Sequence, residues 1–104
     1  MIDQKICFII PAFNEQNTIS EVIYKIQDYG DIIVVDDCST DKTKEILSKL
    51  KVINVRHNNN LGYDLSLNTG FKKAYELNMN FAITIDADGQ HDIRDAKKII
   101  DLLQ

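Results

Sequence analysis

The sequence is poor in the residues that mark several common protein classes. Its 104 residues include one proline, four glycines, two cysteines and no tryptophan. Two cysteines without a secretory segment predict free thiols in a reducing cytosol, and the N-terminus, with Asp3 and Pro11, lacks the pattern of a signal peptide. The apolar runs are far shorter than the roughly 20 residues that cross a bilayer. No transmembrane segment is therefore predicted in this chain.

Basic blocks and glycine-rich phosphate loops are also missing. The formal net charge is −4, with 16 acidic against 12 basic residues, which argues against a nucleic-acid partner. Neither a Walker A pattern nor G-x-G-x-x-G follows the first predicted strand, which disfavours kinase-type and NAD-type nucleotide binding. The length predicts one domain, residues 1–104.

Apolar runs alternate with helical patterns along the whole chain. The runs predict strands at 5–10, 31–36, 51–55 and 81–86. A helical repeat follows each run; the first has its apolar face at Ile19, Val22, Ile23 and Ile26. Such alternation predicts an α/β fold, in which a mostly parallel, Rossmann-like sheet carries helices on both faces.

Local signals predict where the first two helices begin and end. Thr18 and Glu21 have the spacing of a capping box, and Gly30 is expected to end that helix. Thr40 or Asp41 is expected to cap the second helix.

Polar clusters follow all four predicted strands. They span Pro11 to Glu15, Asp36 to Thr40, His57 to Gly62 and Asp86 to Asp92. Ligands bind beyond the carboxyl ends of the strands in such sheets. We therefore expect the four clusters to converge on one edge of the sheet.

The last cluster, "DADGQHD", is the strongest candidate site. In an extended segment, Asp86 and Asp88 would point to the same side, with Gln90 continuing the alternation. Paired carboxylates repel unless a cation lies between them, and oxygen ligands favour Mg²⁺ or Mn²⁺. Asp92 is better explained as a helix cap, whereas His91 remains open between ligand, phosphate contact and loop residue.

The other clusters permit two readings each. Asp36 or Asp37 can bind a base N–H or a ribose hydroxyl, or can cap a helix. Glu15 can bind a ribose hydroxyl or lie in a first helical turn, where acids suit the dipole. The "NNNLG" segment is expected to form a turn, and His57 is expected to be a surface residue.

Four segments in this order and spacing resemble the family 2 glycosyltransferases of the GT-A fold. They are "IPAFNEQNTI", "IIVVDDCSTDKT", "NLGYDLSLNTGF" and "ITIDADGQHD", which lie between about residues 5 and 95. The "DADGQHD" form is most similar to the dolichyl-phosphate mannose synthase and polyprenyl-phosphate glycosyltransferase branch. The resemblance implies a nucleotide-diphosphate sugar, UDP- or GDP-linked, as donor, and a lipid phosphate as an acceptor class. It also implies a cytoplasmic location, including the cytoplasmic face of a membrane, and is compatible with a homo-oligomer.

The resemblance assigns roles to individual residues. The base and ribose pocket would be lined by Pro11, Phe13 and Glu15, and the base would be contacted by Asp37 with Asp36. Asn60 and Gly62 would lie near the diphosphate. The DXD motif would be formed by Asp86, Ala87 and Asp88. Asp86, Asp88 and Gln90 would hold Mg²⁺ or Mn²⁺. No catalytic base is assigned.

Two departures from the family pattern keep alternatives open. Asp64 replaces a glycine and Ser66 an alanine in the segment that begins at Asn60. Family members usually exceed 200 residues, so the chain is expected to correspond to the donor-binding half and to lack the acceptor half. A non-catalytic nucleotide-binding module, or a structural remnant with no ligand, is one alternative. A sugar nucleotidyltransferase is another, although "PAFNEQNT" lacks the glycine and basic residues of its usual loop.

Overall fold

A computed structural model describes residues 4–89 and 93–103 as four parallel strands that alternate with four helices. In chain order the elements are β1 (Ile6–Ala12), α1 (Ile19–Ile26), β2 (Asp31–Asp36), α2 (Thr43–Ser48), β3 (Ile53–Arg56), α3 (Tyr63–Glu76), β4 (Phe81–Thr84) and α4 (Ile93–Leu103). The strands form one sheet in the order β3-β2-β1-β4, and all three pairings are parallel. The predicted α/β architecture is confirmed. No helix within the described ranges is long and apolar enough to cross a bilayer.

The two faces of the sheet are covered by different helices. Successive residues of a strand point to opposite faces, and β1 divides its side chains accordingly. Phe8 and Ile10 join a core with α1, α2 and α4, whereas Cys7 and Ile9 join a core with α3. The predicted stripe of α1 is buried as expected: Ile19, Val22, Ile23 and Ile26. Helices on both faces leave the ends of the strands as the open part of the molecule.

Strand β1 continues through Pro11 to Ala12, so the prediction that it ends at residue 10 was wrong. Pro11 pairs with Val35 of β2, and the Ala12 carbonyl accepts the Asp37 N–H at 2.8 Å. Backbone N–H and C=O groups of successive strand residues point towards opposite neighbouring strands. Since Ala12 bonds towards β2, the Pro11 nitrogen faces β4, whose ladder has already ended at Thr84. The missing N–H of proline therefore costs no strand pairing there.

The two outer strands are shorter than predicted. Pairing between β2 and β3 begins at Ile53 rather than residue 51, because the first partner is Ile33. Strand β4 ends at Thr84 rather than residue 86. Beyond it, the Gly89 N–H donates to the Asp86 carbonyl at 3.3 Å, so the chain turns instead of remaining extended.

Helix α1 begins where the sequence signals predict, whereas the end of α1 and the cap of α2 differ from the prediction. Thr18 is the N-cap residue of α1, as predicted, but it makes no side-chain capping bond; its hydroxyl donates to the Ala87 carbonyl at 2.7 Å. Gly30 lies four residues beyond the last helical residue, Ile26, where a Cβ would come within 2.6 Å of the Ile6 carbonyl oxygen. The N-cap residue of α2 is Lys42, which makes no side-chain capping bond, so the prediction of Thr40 or Asp41 as the cap was wrong; Asp41, one residue earlier, accepts the Thr43 N–H at 2.9 Å.

Candidate functional site

The acidic pair at the end of β2 is matched by a basic pair at the end of β3. The Asp36 carboxylate accepts Arg56 Nη1 at 2.6 Å and the Ser39 N–H at 3.0 Å, while Arg56 Nη2 donates to the Ser39 carbonyl. Asp36 is 0% exposed. The predicted contact between Asp36 and a nucleotide base was therefore wrong, because the carboxylate is fully buried and is bonded to Arg56 and Ser39.

Asp37 joins three segments through one carboxylate. Oδ1 lies 2.8 Å from His57 Nδ1 and accepts the Leu61 N–H at 2.9 Å, and Oδ2 accepts the Gly62 N–H at 2.9 Å. Burial alone would raise the pKa of Asp37, but these hydrogen bonds outweigh burial and lower it. The carboxylate is thus held in its ionised form between β2, β3 and the start of α3.

His57 is not the surface residue that the sequence suggested. Its side chain is 9% exposed, and its Nε2 lies 2.8 Å from Thr69 Oγ1 of α3. A usable signal was present in the sequence: Asp36 and Asp37 end one strand, and Arg56 and His57 end the next. Parallel pairing aligns Asp36 with Arg56, which brings the two pairs together.

Asn14 connects the loop after β1 to the loop after β2. Its backbone is left-handed, with φ of 54°, which asparagine tolerates better than most residues. Oδ1 accepts the N–H groups of Thr40 at 2.8 Å and Asp41 at 3.3 Å, and the Asn14 N–H donates to Ser39 Oγ at 2.9 Å. Asn14 thus joins the two loops in both directions, through its side chain in one and its backbone N–H in the other.

The same connection continues along the chain. The Glu15 N–H donates to Thr43 Oγ1 at 2.9 Å. Gln16 is bonded reciprocally, since its N–H donates to Asp41 Oδ2 at 3.2 Å and its Oε1 accepts the Lys42 N–H at 3.0 Å. We call this set of bonds between residues 14–16 and 39–43 the loop zipper. None of these partners was predicted, because each bond depends on two loops that meet only in the folded chain.

A cavity of about 220 Å³ opens at the carboxyl ends of β1 and β2. We call it the loop cavity; its walls are formed by Pro11, Ala12, Phe13, Glu15, Asp37, Asn60, Gly62, Tyr63 and Ser66. Six of these positions were predicted binding residues: Pro11, Phe13, Glu15, Asp37, Asn60 and Gly62. The expected convergence on one edge is confirmed for the described residues, because all four strands are parallel and end at the same edge of one sheet. Three of the four clusters share the loop cavity.

The fourth cluster lines a neighbouring cavity of about 170 Å³. We call it the α1 cavity; it is bounded by Thr18, Glu21, Val22, Lys25, Ile26, Ile85, Asp86, Asp88 and Gly89. Asp86 and Asp88 thus share one cavity, although they lie on a turn and not on the extended segment that was predicted. Gly89 at φ of 78° completes that turn, as glycine readily does. Ala87 was also predicted to contact the donor, but its methyl group is buried in the core and lines neither cavity.

Asp88 acts on both cavities. Burial raises the pKa of Glu15, and the negative charge of Asp88 raises it further. Glu15 lines the loop cavity and Asp88 the α1 cavity. We call residues 86–89 the acidic turn; its charge acts on a carboxylate in the wall of the loop cavity.

The acidic turn fits a hard divalent cation in chemistry but supplies only part of a coordination shell. Asp86 and Asp88 offer carboxylate oxygens, which Mg²⁺ and Mn²⁺ prefer. Within residues 4–89 and 93–103, no group of three His, Cys, Asp or Glu side chains is placed to hold an ion alone. Gln90, the third predicted ligand, lies outside the described residues, as do His91 and Asp92. A cation here would take further oxygens from a ligand or water.

Comparison with known sequences identifies relatives over nearly the whole chain. Residues 7–104 match the family described as Glycosyl transferase family 2. A UDP-N-acetylglucosamine–dolichyl-phosphate N-acetylglucosaminyltransferase from Methanococcus voltae is 40% identical over an alignment that covers 96% of this chain and 47% of that protein. A dolichol-phosphate mannosyltransferase from Pyrococcus furiosus is 30% identical, with 96% of this chain and 30% of that protein covered. The chain therefore spans less than half the length of these relatives.

Comparison with solved structures gives the same fold. The crystal structure of S. aureus TarS 1-349 in complex with UDP matches with a TM-score of 0.73 and 26% identity, over 95% of this chain and 32% of that one. The predicted GT-A fold is confirmed by this similarity.

Proposed function

Because the chain belongs to glycosyltransferase family 2, we propose that it binds a nucleoside diphosphate sugar and forms the donor side of a metal-assisted sugar transfer. The observation that carries the proposal is the loop cavity, which gathers six separately predicted residues beside the acidic turn. The crystal structure of the similar TarS contains UDP. Nucleotide binding at the carboxyl end of a parallel sheet also follows the general rule for such folds.

The loop cavity suits a nucleoside. Phe13 is 43% exposed and presents an aromatic surface on which a base can stack. Glu15 is half-buried in the wall, and its carboxylate can accept hydrogen bonds from ribose hydroxyls. The Asn60 side chain adds an amide with both donor and acceptor groups. Together these groups offer stacking for the base and hydrogen bonding for the sugar.

The acidic turn suits the diphosphate through a cation. We propose that Asp86 and Asp88, with Gln90, hold Mg²⁺ or Mn²⁺. When bound, the cation would stabilise negative charge on the departing diphosphate, a Lewis-acid role. The chain itself holds these ligands in place: the Ala87 methyl group is buried in the core, and Thr18 binds the Ala87 carbonyl. The residue between the two aspartates, Ala87, therefore fixes the turn to the core and to Thr18.

We propose a lipid phosphate as the acceptor. The proposal is supported by the names of two relatives, a dolichyl-phosphate and a dolichol-phosphate transferase, from M. voltae and P. furiosus. A phosphate oxygen would attack the anomeric carbon as the nucleoside diphosphate departs. Among the described residues we assign no general base to this step.

A non-catalytic module that binds the nucleotide without sugar transfer, or a remnant that binds no ligand, is the second candidate function. Asp64, where the family commonly has glycine, lies exposed in the first turn of α3. Asp64 directly follows Tyr63, which lines the loop cavity, and a carboxylate near a bound diphosphate would weaken donor binding. Metal-dependent nucleotide binding by this chain, without glycolipid formation from UDP- or GDP-sugars and polyprenyl phosphate, would favour this candidate.

Calorimetry with UDP and with GDP tests donor binding. We expect Mn²⁺-dependent binding of one of them, and Asp88→Asn should weaken it about tenfold, equivalent to about 1.4 kcal/mol. Glu21→Gln is the matched control, since it makes the same carboxylate-to-amide change in the α1 cavity and should alter affinity less than about twofold. Binding of equal strength in a chelator would exclude the cation bridge. Absence of binding by both nucleotides would refute the proposal.

A further inference from the structure

The loop between β3 and α3 depends on a side chain outside itself. Residues 57–62 have no regular structure before α3 begins, and the N-cap residue of that helix, Gly62, has no side chain that could cap it. The N–H groups of Leu61 and Gly62 instead donate to Asp37 at the end of β2. The carboxylate also lies where the helix dipole favours negative charge. The orientation of Asp37 thus sets the path of this loop.

His57 is placed to set that orientation. Backbone bonds already fix the main chain at both residues, because the Asp37 N–H donates to Ala12 and the His57 N–H to Asp36. These backbone bonds do not fix the side-chain torsions of Asp37. His57 Nδ1 contacts Asp37 Oδ1, the oxygen that also accepts the Leu61 N–H. On the other side of the ring, Nε2 meets Thr69 Oγ1. The imidazole therefore bridges the end of β2 and helix α3 through a hydrogen bond at each ring nitrogen.

We propose that His57 is a positioning residue for the loop cavity: through Nδ1 it orients Asp37, and Asp37 in turn holds the wall formed by Asn60, Gly62 and Tyr63. The consequence for ligand affinity rests on the proposed function, whereas the consequence for the loop does not. His57 itself does not line the cavity. Its effect on a nucleotide is thus carried by the position of the wall.

Two substitutions separate the two nitrogens of the ring. His57→Asn places an amide nitrogen at the position of Nδ1 and retains a donor towards Asp37. His57→Gln places its amide nitrogen at the position of Nε2 and retains only the contact with Thr69. Both variants lose the imidazole and are similar in polarity. A role limited to filling space would affect them alike, since neither replaces the ring.

Amide hydrogen exchange in the full chain provides the first measurement, and it needs no ligand. We expect His57→Asn to keep the protection of the Leu61 and Gly62 amides within about threefold, and His57→Gln to lower it about tenfold, as for the loss of one hydrogen bond to a charged group. Amides of β1 serve as the internal reference for global stability. Equal loss in both variants, or protection retained in His57→Gln, would overturn the proposal.

Titration with UDP and Mn²⁺ provides the second measurement. Affinity should fall about tenfold in His57→Gln and be rescued in His57→Asn. If the unsubstituted chain binds no nucleotide, the proposed function fails, and the exchange result alone decides the role of His57. If both variants unfold, Thr69→Val removes the contact at Nε2, together with the bond from the Thr69 hydroxyl to the Leu65 carbonyl, and leaves Nδ1 beside Asp37. Protection of the Leu61 and Gly62 amides within about threefold of the parent would then support the proposal, because Nδ1 still contacts Asp37. A tenfold loss would show that the Nε2 contact holds the loop and would overturn the proposal.

Discussion

At the scale of single residues, Asp37 shows how one carboxylate can serve both the fold and the site. It binds the ends of β2 and β3 to the start of α3 and also lines the loop cavity. Its charged form is favoured by hydrogen bonds that outweigh its burial. A carboxylate held in this way links the stability of the fold to pH.

The pH dependence follows from the direction of that shift. Because the pKa of Asp37 is lower in the folded chain than its ordinary value of about 3.9, its contribution is present above that value and is lost as pH falls through the folded pKa. We expect Asp37→Asn to lower the free energy of unfolding by about 1–3 kcal/mol at pH 7, and the difference from the unsubstituted chain to shrink towards pH 3.

Urea unfolding at both pH values measures this difference. Asp28→Asn is the control, since it removes the same charge from an exposed position at the opposite end of the sheet. A deficit in Asp37→Asn that is equally large at pH 7 and pH 3 would show that shape, and not ionisation, makes the difference.

The residue-level predictions were best where chemistry is concentrated in one short segment. Phe13, Glu15 and Asp37 were placed correctly at the sheet edge, because acids and aromatics directly after a buried strand are conspicuous. Arg56 and His57 were missed as partners, because their importance depends on the β2–β3 register. Asp36 was misassigned for the same reason: the sequence shows an acid but not the arginine that covers it.

At the scale of secondary-structure elements, helix α3 illustrates close packing on the sheet. Its inward face consists of small residues, Ser66, Gly70 and Ala74. A Cβ on Gly70 would overlap the Ile9 side chain of β1. The absence of a side chain at residue 70 therefore sets how near the helix axis lies to the strand.

Gly70→Ala tests this contact against helix propensity. In an exposed helix the change would stabilise by about 1 kcal/mol, but overpacking a core typically costs about 1–3 kcal/mol. We expect a net loss of about 1 kcal/mol in the free energy of unfolding, measured in urea. Lys72→Ala, at an exposed position of the same helix, should be close to neutral. A Gly70→Ala variant more stable than the parent would contradict the close approach.

The existence of each element could be read from the pattern, but several boundaries could not. The stripe of α1 repeats at helical spacing, so its burial was predictable. The ends of β1 and β4 were not, because a strand ends where its neighbour stops pairing. Pro11 fits within β1 because the strand still pairs with β2 there, while the ladder with β4 has already ended. Such boundaries are set by the partner strand and are absent from the local sequence.

At the scale of the whole molecule, stability is expected to be graded across the sheet. Strands β1 and β2 are paired on both sides, whereas β3 and β4 are at the edges within the described residues. The central strands are almost completely buried, but the outer strands are only partly so. Edge strands open locally more readily than central ones, since fewer buried contacts hold them.

Amide exchange over the whole chain measures this gradient. The amides of β1 and β2 that lie within the ladder should exchange only through global unfolding, with one shared dependence on denaturant. The amides of β3 and β4 should exchange faster, through local opening with weak dependence on denaturant. Protection in β4 equal to that in β1 would contradict the gradient and would show that the outer edge is covered in solution.

The loop zipper has a consequence for protein engineering. Residues 14–16 and 39–43 are joined by side chains of one segment bonded to the backbone of the other, so neither segment holds its conformation independently. A chimera with a relative's donor specificity must therefore exchange both segments together. Replacing only residues 14–16 would leave backbone N–H groups of residues 40–42 without their side-chain acceptors. The recombination boundaries should therefore lie outside both segments.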